Sequence, residues 1–87
     1  MQAVITVIGK DQVGILAKVS QYCAEYNVNI VDVDQTIIQD FFTMVMVVNI
    51  DKIRIDFEDF QKQVKDSLSS LEIHVMHEDI FNSMHRI

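Results

Sequence analysis

Between Gly9 and Leu16 the chain reads Gly-Lys-Asp-Gln-Val-Gly-Ile-Leu, and Asn29-Ile30 follows after the next apolar stripe. Ile15 and Leu16 open that stripe at helical spacing. The amides near Val13, Gly14 and Ile15 therefore lie at a helix N-terminus, where N–H groups have no partner within the helix and carry partial positive charge. Such a terminus can receive a carboxylate. Gly14 has no Cβ, so a ligand can approach the backbone closely. The Asp11 carboxylate, or loop carbonyls, can accept from an amino group, and Asn29 offers both a donor and an acceptor. Gly9, Lys10, Asp11, Gln12, Val13, Gly14, Ile15, Asn29 and Ile30 are the candidate binding residues, and the chemistry that suits them is capture of a small zwitterion, an amino acid above all. Plainer readings stand beside this one: Gly14 as a close-packing point, Asp11 as a helix N-cap, Asn29 as turn chemistry at a helix exit.

Other reactive side chains point to less. His74 and His77 are three apart on an expected strand, so they face opposite sides and do not share a metal ion. No metal site is expected there, even with Glu78 adjacent, and His85 is expected to face solvent in the tail. Cys23 lies on an apolar helical stripe and reads as a buried structural thiol. No serine, cysteine or lysine has an evident base and orienting group beside it, so the expectation is a protein that is not an enzyme and needs no cofactor.

The elements that would position these residues are legible from periodicity. Ala3 to Ile8 is a β-branched run that ends at a Gly9 turn. Ile15, Leu16, Val19, Tyr22, Cys23 and Tyr26 make one helical stripe, with Asp11 the candidate cap and Asn27 and Asn29 at the exit. From Val28 to Ile38 the pattern alternates, with Val31, Val33 and Ile37 on one side and Asp32, Asp34 and Thr36 on the other. Gln39-Asp40 separates this strand from Phe41 to Ile50, so the two form an antiparallel hairpin, although its turn lacks glycine. Phe42, Met44, Met46 and Val48 face one way, Val45 and Val47 the other, so both sides of this strand need cover.

Asp56, Glu58 and Asp59 open a second helix carrying Phe57, Phe60, Val64, Leu68 and Leu71. A strand from Ile73 to Met76 follows, and Ile80, Phe81, Met84 and Ile87 suggest a short amphipathic helix. Strand, helix, strand, strand, helix, strand is the ferredoxin-like α+β order: a four-stranded antiparallel sheet with both helices on one face and the first and third strands central.

Composition limits what this fold does here. The 87 residues, 49% of them hydrophobic, suffice for one core, and with neither proline nor a low-complexity linker a single domain over 1–87 is expected. A domain this small buries only about 60 to 65% of its unfolded surface, which favours oligomerisation. A net charge of −6 opposes binding to nucleic acid or to an anionic membrane. The single cysteine, and the lack of a signal-peptide pattern or a long apolar run, fit a reduced cytoplasmic protein.

The fold hosts many activities, so the site must decide. A metal chaperone would carry paired cysteines in the first loop. An RNA binder would expose stacking aromatics in a basic setting. An acylphosphatase-like enzyme would hold phosphate with a first-loop arginine, where this chain has only Lys10. The remaining choice is a ligand-sensing module. Gly9-Lys10-Asp11-Gln12-Val13-Gly14-Ile15-Leu16, Asn29-Ile30 and Phe41-Phe42-Thr43-Met44 resemble the ACT domain, and most of all small stand-alone bacterial and archaeal ACT proteins. The chain departs from the commoner ACT loop at Val13, where proline often precedes the glycine. The resemblance implies a regulatory module whose copies join along the second-strand edge into a homodimer, with Asn29 of the second subunit completing each amino-acid pocket. The alternative is a module that pairs that edge with another protein and binds no metabolite; a small-molecule enzyme is a weaker third reading.

Overall fold

A strand apolar on both sides must sit inside its sheet, and β3 (Phe41–Asn49) does so. It lies between β1 (Gln2–Lys10) and β2 (Asn29–Ile38), and β4 (Glu72–His77) closes the other side in the antiparallel order β2-β3-β1-β4. The helices are α1 (Ile15–Glu25), α2 (Phe57–Ser67) and the short α3 (Glu78–Met84). This is the expected ferredoxin-like α+β arrangement. The computed structural model describes residues 1–84, so His85 and Ile87 lie outside the described residues.

The core fills the space between one face of the sheet and α1 and α2. Ile5, Val7, Met44 and Met46 supply the sheet side, and Val19, Cys23, Phe60 and Val64 the helix side, all fully buried. Each large apolar side chain so removed from water contributes about 1.5–3 kcal/mol. The second face is covered in part. Val4 points to it yet is buried, because α3 packs across β1 and β4 there. Over β2 and the hairpin tip that face stays open, leaving Ile8, Ile38 and Phe41 exposed.

Several local expectations need correction. The first strand does not turn at Gly9 but continues to Lys10. Gly9 lacks a side chain for a packing reason: a Cβ there would stand 2.5 Å from Leu71 Cδ2. The expected single alternation of β2 is broken by a bulge. Register jumps from Ile30↔Val48 to Asp32↔Val47, so Val31 is extra and exposed. Ile30 and Val33 consequently both face the core, a two-residues-to-one mismatch that simple alternation misses. The hairpin turn without glycine is achieved by Gln39 at φ 57. The second helix stops at Ser67, leaving Leu68 and Leu71 in the following turn, still packed on the core. Asp56 occupies that helix's N-cap position, but its side chain makes no capping bond.

Candidate functional site

The loop from Asp11 to Gly14 joins the end of β1 to α1, and its ends are fixed by different means. Ile15 is buried and anchors the helix start in the core, so of this residue only the backbone N–H faces the loop. At the other end the Asp11 N–H donates to the Asp40 carbonyl at 2.7 Å, which ties the loop to the β2–β3 hairpin tip. Between these anchors Gln12 and Val13 are exposed, Val13 fully.

Asp11 does not cap α1. The N-cap is Gly14, at φ 88 and ψ 12, and no side chain bonds the first-turn amides. The reason is geometric: a cap must immediately precede the first helical residue, and the left-handed turn at Gly14 separates Asp11 from that position. Gly14 is not a packing point either, since a Cβ built on it would meet nothing within 4 Å. Its lack of a side chain serves the positive φ, which L-residues resist. The helix ladder begins with Lys18 N–H donating to the Gly14 carbonyl at 2.9 Å. The amides of Ile15, Leu16 and Ala17 precede that first bond and remain available to an acceptor. Uncapped amides beneath open space are the electrostatics a carboxylate needs.

Asn29 is elsewhere. It pairs with Asn49, which also pairs with Gln2 at the start of β1, whereas Lys10 at the end of β1 pairs with Phe41. Phe41 and Asn49 are the two ends of β3, roughly 27 Å apart at about 3.4 Å per residue. Within one chain, then, Gly9 to Ile15 stand together at one end of the sheet, and Asn29 and Ile30 stand at the other. The turn role open to Asn29 belongs to Asn27, which takes φ 61 and donates to the Lys52 carbonyl at 3.1 Å. Asn29 itself is an exposed strand residue, while Ile30 packs partly into the core.

The sequence did not reveal Asp40 and its neighbours. A shallow groove on the open sheet face, lined by Ile8, Lys10, Ile38, Gln39 and Phe41, adjoins the Asp11–Asp40 bond. Its one visible clue was the pair of large apolar residues flanking Gln39-Asp40, which a hairpin tip in water does not require.

The remaining reactive groups lie apart from this loop. His74 sits on the α3 side of β4, beside Glu72 at 3.2 Å, whereas His77 turns to the other face and packs on the Phe57 ring at 4.4 Å. Among the described residues, no group of three His, Cys, Asp or Glu could hold a metal ion, and no helix is long and apolar enough to cross a membrane. Cys23 is buried, and that desolvation pushes its thiol from near 9.0 up to about 11.

Residues 1–77 match the model of the ACT domain family. The chain is 52% identical to a UPF0237 protein of Clostridium perfringens and 47% identical to one of Listeria innocua, each alignment covering 100% of both chains. A UPF0237 protein of Methanosarcina acetivorans is 49% identical, with 97% of this chain and 94% of that one covered. Among solved structures, an ACT domain protein from Streptococcus pneumoniae superimposes with a TM-score of 0.79 at 37% identity, covering 98% of each chain. A formyltetrahydrofolate deformylase from Pseudomonas syringae shares the fold alone, with a TM-score of 0.74 at 22% identity, over 87% of this chain and 27% of that one.

Proposed function

The chain belongs to the ACT domain family, and from that premise we propose that it is a cytoplasmic regulatory module, one ACT unit over residues 1–87, that binds an amino acid as a homodimer paired through β2. The carboxylate of the ligand sits on the first amides of α1 over Gly14, and its ammonium group is taken by the Asp11 carboxylate or the loop carbonyls. Asn29 of the second copy closes the pocket. The observation that carries this reading is the uncapped helix start beneath open space at Gly14. Family membership supports regulation rather than catalysis, and the fold's occurrence as a minor share of a longer chain fits use as a module.

Geometry supports the proposed dimer. Pairing two β2 strands antiparallel about a two-fold axis sets the start of one beside the end of the other. Ile38 ends β2 opposite Phe41, at the same end of the sheet as Lys10 and the loop. Asn29 of one copy thereby approaches the other copy's β1–α1 loop, which it cannot reach in its own chain. The β2 edge is suited to this, being paired on one side only and mostly exposed. That same edge also supports the alternative, pairing with another protein without a metabolite.

A thermal-shift screen of the common amino acids tests the proposal. At about 100 times Kd a ligand specific for the folded state adds roughly 2.7 kcal/mol of stability. Asp11→Ala and Gly14→Val should each abolish the response while the dimer persists by sedimentation. A wild-type melting temperature unmoved by every amino acid at millimolar concentration would favour the protein-pairing alternative.

A further inference from the structure

At the opposite edge of the sheet, β4 lies in a groove between two helices, and the lining continues over Thr6, Ile8, Thr43 and Val45 on the open sheet face. One wall is the α2 stripe of Glu58, Gln61, Lys62 and Lys65, spaced to share one helix face. The other is α3, through Ile80, Phe81 and Met84, of which Ile80 and Met84 stay more than half exposed. The β4 backbone is reached from this groove, because Gln61 Nε2 on α2 donates to the Val75 carbonyl at 2.6 Å. By the two-residue period of an antiparallel pair, Ile73 turns its backbone groups the same way.

We propose that this groove binds an extended peptide, which adds to β4 as a fifth strand and carries acidic residues alternating with apolar ones. The Gln61 carboxamide stands where a peptide N–H would donate to Val75, so it marks the hydrogen-bond direction and is displaced on binding. Side chains of an added strand alternate between its two faces. One set meets α3, where Ile80 and Met84 offer apolar surface. The other meets α2. Phe57 packs on His77 and Gln61 reaches Val75, so α2 runs antiparallel to β4, with Lys62 and Lys65 toward the Ile73 end. Glu58 stands toward the other end of the same wall, so the positive site is confined to Lys62 and Lys65 at the Ile73 end, and acidic side chains of the peptide complement it there.

The probe is a fluorescein-labelled, end-blocked peptide of alternating valine and glutamate, followed by fluorescence anisotropy with the full chain. Amide hydrogen exchange at Ile73 and Val75 reports where it lands. Binding should weaken about tenfold in Lys62→Glu/Lys65→Glu and tighten several-fold in Gln61→Ala. Exchange at both amides should slow. If the charge reversal unfolds the chain, Lys62→Gln/Lys65→Gln gives the same comparison. Val31→Lys, on the β2 edge, should leave peptide binding unchanged, which separates this site from the dimer proposal. Equal affinity for a valine–lysine peptide, no binding at about 1 mM, or unchanged exchange at Ile73 and Val75 would each overturn the inference.

Discussion

The Asp11 N–H and the Asp40 carbonyl, 29 residues apart in sequence, are joined by a 2.7 Å hydrogen bond. This bond makes the β1–α1 loop and the β2–β3 hairpin tip one mechanical unit. Residue 11 thus supplies a backbone donor that ties down the loop, and in the proposed function its side chain separately takes the ligand's ammonium group. Asp11→Ala keeps the first and removes the second, so its fold stability should change by less than about 0.5 kcal/mol in urea unfolding.

Gly14 and Gly9 should respond differently to the same substitution. At Gly14 the cost is backbone alone, because φ is 88 and the space above is open. Gly14→Ala should lose about 1–2 kcal/mol, and Gly14→Asn less, since asparagine tolerates the left-handed region. Chemical denaturation of the two variants checks the order.

At Gly9 the cost is steric. A methyl group there meets Leu71 Cδ2, so Gly9→Ala should lose about 1–3 kcal/mol by overpacking. Leu71→Ala removes the obstructing atom. The double variant should therefore be more stable than the sum of the two single losses predicts, by at least about 0.5 kcal/mol in a double-mutant cycle.

Cys23 gives a pH dependence with a definite sign. Burial raises its folded thiol to about 11 from near 9.0, so the unfolded chain loses its proton first. The contribution to stability is intact below pH 9.0 and falls as pH climbs toward 11, by about 2–3 kcal/mol in all. Subtracting the alkaline stability profile of Cys23→Ala from that of the wild type isolates this contribution. A difference that stays flat across the interval would contradict the burial of the thiol.

The β2 edge carries Asp32 and Asp34 on the open sheet face, paired with Val47 and Val45. In the proposed antiparallel β2–β2 dimer, the Asp32 and Asp34 carboxylates of the two copies come close across the seam. Like charges directly opposite destabilise strand pairing. Asp32→Asn/Asp34→Asn should tighten self-association several-fold, and added salt should tighten the wild type in the same direction. Sedimentation at several ionic strengths measures both.

Much of the fold was legible because its cues are local and periodic. Phe60 and Val64 fall four apart behind an acidic first turn, and Phe42, Met44, Met46 and Val48 alternate without a break, so α2 and β3 follow from sequence. The bulge at Val31 was not legible, because Ile30 to Ile37 reads as plain alternation and the extra residue appears only against the β3 register. Asp11 looked like a cap because its type is right, but the helix start was fixed by Ile15 entering the core and Gly14 turning left-handed before it. The Asp40 contact was invisible for a different reason: nothing near residue 11 encodes a partner on another hairpin. Gly9 at a strand end suggests a turn, but its constraint lies at Leu71, 62 positions later.

The separation of Gly14 from Asn29 along the sheet has a consequence for dosage. The proposed pocket, which needs both residues, cannot exist in an isolated chain, so the number of such pockets grows with the square of the chain's abundance while monomers dominate. A sensor of the proposed kind compares two quantities at once, metabolite level and its own copy number. A cell could set the threshold simply by how much of the chain it makes.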